Sequence, residues 1–118
     1  MIRPDKAKSF NEAVRMCFLV INNLKTLLQK AGHSINVGDE GGFAPMISDN
    51  ESALKLIVKA IKKSGFRNGK DISICLDVAA NELIKSGKYS IHSKNFISVD
   101  KSIKRYLYLI KKYQIKSI

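Results

Sequence analysis

The sequence lacks three things that would each have placed it in a definite class. It has no apolar run near the roughly 18–20 residues needed to cross a membrane. The longest, Met16-Cys17-Phe18-Leu19-Val20-Ile21, lies inside a longer amphipathic pattern. The opening Met1-Ile2-Arg3-Pro4-Asp5-Lys6 lacks the charged-then-apolar layout of a secretory signal, so a cytoplasmic address is expected. There are only two cysteines, Cys17 and Cys75, which excludes a disulfide framework or a metal knuckle and predicts two small core residues.

Acidic residues are also scarce, 10 against 21 basic ones, for a net charge of +11. Such a balance is compatible with nucleic acid or an anionic surface as partner. Most of the cations are lysines spread along the chain among abundant Ile, Asn and Ser, which fits compositional drift, the favoured reading, so nucleic acid is not the expected partner. No linker, low-complexity tract or internal repeat divides the 118 residues, so residues 1–118 are read as one domain.

What is present is alternation of helix and strand. Ile2-Arg3-Pro4 reads as the end of a short strand. Ser9-Phe10-Asn11-Glu12 has the capping-box pattern, and Phe10, Val14, Cys17, Ile21, Leu24 and Leu28 follow at helical spacing, predicting a helix over 10–31 closed by Gly32. Asp49 or Asn50 caps a second helix, with Ala53, Leu54, Ile57, Ala60 and Ile61 on one face and Gly65 at its end. Asn68-Gly69 marks a turn, and 72–78 reads as a buried strand ending at Asp77. Ser86-Gly87 marks another turn, beside a short strand at Tyr89-Ser90-Ile91. Ser98 or Asp100 caps a third helix through Lys112, with Ile103, Leu107 and Ile110 inward, and 114–118 is extended. The order predicts an α/β fold with helices flanking a parallel sheet.

Two segments carry candidate chemistry. In Asn36-Val37-Gly38-Asp39-Glu40-Gly41-Gly42-Phe43-Ala44-Pro45, glycines around two acids allow close backbone approach and unusual dihedrals, which helps aim a carboxylate. Most acidic glycine loops are nevertheless solvated turns. In Ile74-Cys75-Leu76-Asp77-Val78-Ala79-Ala80, Asp77 follows a buried strand, where α/β barrels place catalytic groups and where hard cations find carboxylate oxygens. An Asp capping the next turn explains the same position.

Together, in this order, the two segments resemble enolase. Val37 to Pro45 is similar to the family's loop, and Leu76-Asp77-Val78-Ala79-Ala80-Asn81-Glu82 to its strand-end motif, with Asn81 where serine is usual. Met1-Ile2-Arg3-Pro4 and Ser86-Gly87-Lys88-Tyr89 resemble family segments at matching places. The resemblance implies a partial segment of an enolase-type (β/α) barrel and the magnesium-assisted interconversion of 2-phosphoglycerate and phosphoenolpyruvate in glycolysis. It implies Glu40 as the acid that protonates the departing hydroxyl, supported by Gly38, Asp39, Gly41 and Gly42, and Asp77 as one of three carboxylates holding Mg2+.

The resemblance also implies what these residues do not supply. A substrate-binding histidine and a glutamate would precede Met1, and a second metal-ligand glutamate would follow Ile118. The third metal carboxylate, the lysine base and the phosphate-gripping residues would lie further on. The isolated chain is therefore expected to be inactive, with self-association through exposed sheet edges as a consequence. Gln114 and Lys116, Asp5 and Lys6, and Leu83-Ile84 depart from the usual family residues, which reads as relaxed constraint. The competing reading is a basic module for nucleic acid or an anionic surface, built on Lys101, Lys104, Arg105, Lys111 and Lys112 beside Tyr106, Tyr108 and Tyr113.

Overall fold

A computed structural model describes residues 1–92 and 95–118 of the chain. The elements in order are β1 (Ile2–Arg3), α1 (Phe10–Lys30), α2 (Asn50–Lys63), β2 (Ser73–Cys75), α3 (Ala80–Leu83), β3 (Ile84–Lys85), β4 (Lys88–His92), β5 (Asn95–Ile97), α4 (Val99–Tyr113) and β6 (Ile115–Ser117).

The long helices begin where side chains accept their first free N–H groups. Ser9 Oγ accepts from the Glu12 N–H at 3.2 Å, while Glu12 reaches back to the Lys8 N–H at 2.8 Å. Asp49 Oδ1 accepts from the Ser52 N–H at 2.8 Å, and Ser98 caps α4 in the same way. Each helix also has an acid in its first turn and a lysine in its last, the arrangement the helix dipole favours.

β2 is the centre of the main sheet. It pairs antiparallel with β1, Ile2 opposite Ile74, and parallel with β6, Ile74 opposite Ile115. The expected parallel pair is thus β2–β6, reached through a crossover containing α4, and β1 adds an antiparallel edge. Regular pairing in β2 covers three residues instead of the seven expected over 72–78. The ladder to β6 shifts register between Ile74 and Cys75, and past Cys75 the Leu76 N–H continues it, donating to the Ser117 carbonyl at 3.0 Å.

β3, β4 and β5 form a second, antiparallel sheet that the sequence reading placed only in part. The Ser86-Gly87 turn joins β3 to β4 with φ of 50° and 71°, the doubly left-handed geometry of a two-residue hairpin. No closed barrel is formed among the described residues. The radius of gyration, 15.2 Å, exceeds the roughly 13.5 Å expected of a compact domain of this length, as an open arrangement requires.

The core lies between the main sheet and the helices. Ala60, Ile61, Ile72 and Ile74 are fully buried, joined by Met16, Val20, Leu27, Leu54, Leu109, Tyr113 and Ile115. This corrects the inward faces read from the sequence. On α1, Leu24 and Leu28 face the core as expected, but Phe10, Val14 and Ile21 are exposed and Cys17 is half-buried, while Met16, Val20 and Leu27 point in. On α4, Ile103 and Leu107 are exposed, and Leu109 and Tyr113 are buried with Ile110 packed beside them. The same helices carry two apolar stripes, and the stripe that meets α2 is the buried one. Neither cysteine is a full core residue, although partial burial still pushes the Cys17 thiol pKa up.

Candidate active site

Glu40 sits at the tip of a pinched loop. Val37 bridges Phe43 in antiparallel fashion, the Gly38 N–H donates to the Gly42 carbonyl at 2.9 Å, and the Gly41 N–H donates to the Gly38 carbonyl at 2.9 Å. Asp39 and Glu40 are therefore the two central residues of a turn closed by glycines. Gly41 has φ of +79°, a conformation that a side chain would strain. Both carboxylates are exposed. Glu40 is therefore not enclosed by the described residues. Below the tip, Gly42 and Phe43 line an apolar cavity of about 370 Å³ with Val20 and Leu24 of α1 and Ile57 of α2.

Asp77 lies just past the C-terminal end of β2. Its Oδ1 accepts from the Ala79 N–H at 3.0 Å, which turns the chain into α3, and Ala79 takes the left-handed φ of 47°. The capping role and an outward carboxylate therefore coexist. Asp77 is exposed and lines a cleft of about 630 Å³ with Met1, Leu76, Ala79, Glu82 and Ile118. Glu82 was not singled out from the sequence. Its signal was its place in the first turn of a short helix that opens on the cleft.

Glu40 and Asp77 line no common cavity among the described residues: Asp77 borders its cleft, whereas Glu40 stands outside the cavity lined by Gly42 and Phe43 of its loop, and Met1 borders both spaces. Nor do any three His, Cys, Asp or Glu side chains gather there into a metal-holding group. Asp77 offers a hard oxygen donor suited to Mg2+, but a single such ligand is a fraction of a site. The residues present fit one coordination position and not a complete centre.

The basic helix face of the competing reading is tied to its neighbour. Glu51 of α2 reaches across to α4, where its Oε1 accepts from Lys112 Nζ at 2.7 Å and from the Tyr113 hydroxyl at 2.8 Å. These bonds hold its carboxyl at a pKa of about 2, and the same pairing raises that of Lys112. Lys112 also donates to the Tyr108 hydroxyl and lies 4.9 Å from the Tyr108 ring centroid. Tyr113 is buried and Tyr106 half-buried. Tyr108 and Tyr113 join α4 to α2 through Glu51, which leaves Tyr108 as the one exposed ring of the three.

An α/β chain with acids on a glycine loop and at a strand end is the pattern of an α/β-barrel enzyme segment. The family model described as the enolase C-terminal TIM barrel domain matches residues 1–118. The chain is 73% identical over 118 residues to the enolase of Pelagibacter ubique (strain HTCC1062), covering 100% of this chain and 28% of that protein. The chain belongs to the enolase family and spans about 28% of the length of the curated relative it matches. None of its helices is long and apolar enough to cross a membrane among the described residues.

Proposed function

We propose that this chain is the part of an enolase barrel that supplies the acid and one metal ligand for the cytoplasmic dehydration of 2-phosphoglycerate to phosphoenolpyruvate, and that these 118 residues alone do not turn over. The observation that carries the reading is Asp77, outward at the C-terminal end of β2 on the wall of a cleft, in a chain of enolase descent.

In the forward direction the substrate gives its α-proton to a base from another segment of the barrel, the lysine that the family resemblance implies, and loses its β-hydroxyl. Glu40 gives its proton to that hydroxyl, which leaves as water, and the electron pair from the broken C–H bond becomes the new C=C bond. The pinch between Val37 and Phe43 fixes the turn that carries Glu40, and Gly38, Gly41 and Gly42 let the backbone close beneath it. An acid must hold its proton until the hydroxyl departs, and an exposed tip offers no enclosure for that. The enclosure has to come from other segments of a barrel. Asp77 holds one position at the metal, its other oxygen anchored by Ala79. Magnesium, when bound, offsets the negative charge that grows on the substrate as the α-proton leaves.

The test is the formation of phosphoenolpyruvate from 2-phosphoglycerate with excess magnesium, run with the chain alone, with added segments completing the barrel, and with Glu40→Gln in each case. The chain alone is expected to match its Glu40→Gln control. With the complementing segments, conversion should appear, and Glu40→Gln should lower it by about 10²–10⁴-fold. Conversion by the chain alone that is lost in Glu40→Gln would overturn its inactivity. Complemented conversion indifferent to Glu40 and Asp77 would overturn their roles.

A further inference from the structure

The opposite end of β2 from Asp77 opens on a cleft of different character. About 600 Å³ in volume, it is lined by Lys55 and Lys62 of α2, Arg67 and Lys70 of the connection into β2, and Lys112 of α4, with no acidic residue in its wall. The stretch from Lys55 to Lys70 also holds Lys59 and Lys63 and contains no Asp or Glu. Lys55 and Lys62 are two helical turns apart and so share one face of α2, roughly 10 Å apart along its axis.

The cations of this cleft differ in how they are neutralised. Arg67 is held by Asp71 through two bonds, at 2.8 and 2.7 Å, and Lys112 by Glu51 at 2.7 Å. Lys55, Lys62 and Lys70 form no ion pair among the described residues. A helix C-terminus accounts for a lysine at position 62, since the dipole there favours a cation. It does not account for Lys55, more than a turn upstream, or for Lys70, beyond the helix. Converging cations repel one another, so a wall of them without acids is stabilised by an anion that spans them.

We infer that the Lys55–Lys62–Lys70 cleft binds a compact, multiply charged phosphate anion, such as free tripolyphosphate or the triphosphate of a nucleotide. Its volume falls in the range of small-ligand sites, which suits a triphosphate better than a polymer. Its aromatic wall argues against a nucleic-acid strand, because Tyr113 is only 5% exposed and presents no open ring for successive bases to stack on. The paired residues Arg67 and Lys112 fix the rim, and the three unpaired lysines are free to turn toward the ligand.

The experiment titrates the 118-residue chain with tripolyphosphate, with a nucleoside triphosphate and with a single-stranded RNA, at physiological salt, by calorimetry. The triple variant K55A/K62A/K70A is compared with K25A/K101A/K104A, which removes the same charge elsewhere. The cleft variant is expected to weaken tripolyphosphate binding at least about tenfold and the control less than about twofold. Amide shift mapping of the unaltered chain supplies a readout independent of the variants' folding, with shifts concentrated over residues 55–70. Equal affinity for tripolyphosphate and nucleotide assigns the site to the phosphate chain, and tighter nucleotide binding assigns it to the nucleotide; both uphold the cleft. Equal weakening by both variants, shifts spread over all lysines, RNA bound more tightly than either small anion, or no saturation by tripolyphosphate would overturn it.

Discussion

The two ends of β2 are built in opposite ways. At the N-terminal end, Asp71 accepts from the backbone and the guanidinium of Arg67 and forms an ion pair with Lys6 at 3.7 Å, Asn68 Nδ2 donates to the Tyr113 carbonyl at 2.8 Å, and Gly69 lies beneath Gln114. At the C-terminal end, regular pairing stops at Cys75 and Asp77 is held by one hydrogen bond from its own turn. One end is crowded and cross-linked, the other short of partners and open to a cleft. An α/β barrel uses its strands in this way, with stability at the base and chemistry where the strands run out. The contrast survives in a segment covering 28% of a relative's length, so each strand and its flanks carry it locally.

The strand between the two ends should give the largest effect. Ile74 is fully buried between Ile2 and Ile115. Ile74→Ala is expected to lower unfolding stability by about 3–4 kcal/mol, read by urea denaturation, because the cavity is closed in by two neighbouring strands. A loss below about 1 kcal/mol would mean that the three strands do not form one packed sheet.

Next comes the crowded end. Gly69 has φ of +75°, and a Cβ there would lie 2.6 Å from Gln114 Cβ. Gly69→Ala combines backbone strain with a clash that the root of a side chain cannot avoid. We expect a cost of about 2–3 kcal/mol. Gln114→Gly should recover part of it in the double variant, since it removes the clashing atom and its own left-handed φ of 56° favours glycine. Additive effects in that cycle would show that the two positions do not meet.

Acid should loosen the same end and the α2–α4 contact first. The Asp71 carboxyl is held well below its usual range, chiefly by hydrogen bonds from Arg67, and the Glu51 carboxyl falls from 4.5 to about 2, chiefly through Lys112. A carboxylate whose pKa is lower in the folded state stabilises the fold above its unfolded value and loses that contribution as pH falls through the folded one. The melting temperature should therefore hold above about pH 5 and decline between about 4.5 and 2. Because both pairs are solvent-exposed, the decline should be modest and flattened by salt. Glu51→Gln should show a shallower decline; an unchanged profile would mean that the contact across the helices is not formed in solution.

These contrasts were unequally legible in the sequence. The helix starts at Ser9, Asp49 and Ser98 and the turn at Ser86-Gly87 could be read because capping and turn chemistry is local. The buried faces of α1 and α4 could not, because apolar residues recur on two sides of each helix and the choice is made by α2, distant in the chain. Phe10 and Ile103 fit a helical period as well as Met16 and Leu109 do. Glu40 and Asp77 were legible as a family pattern, yet nothing in their spacing said that Asp77 would line a cleft and Glu40 would stand exposed outside it. The cleft of lysines was missed for a similar reason. Its walls come from α2, the approach to β2 and α4, and only the fold brings them together.

The smallest stability effect belongs to the open end, and it separates fold from chemistry most cleanly. Asp77→Asn keeps an oxygen that can accept from the Ala79 N–H and removes only the charge. Because Asp77 is exposed and makes no ion pair among the described residues, the substitution should change unfolding stability by less than about 0.5 kcal/mol. In the complemented assay it should still cost at least about tenfold in activity, because a neutral amide is a far weaker magnesium ligand than a carboxylate. Loss of stability comparable to Gly69→Ala would place Asp77 with the structural residues of the other end, and its outward carboxylate would then be only the cap of its turn.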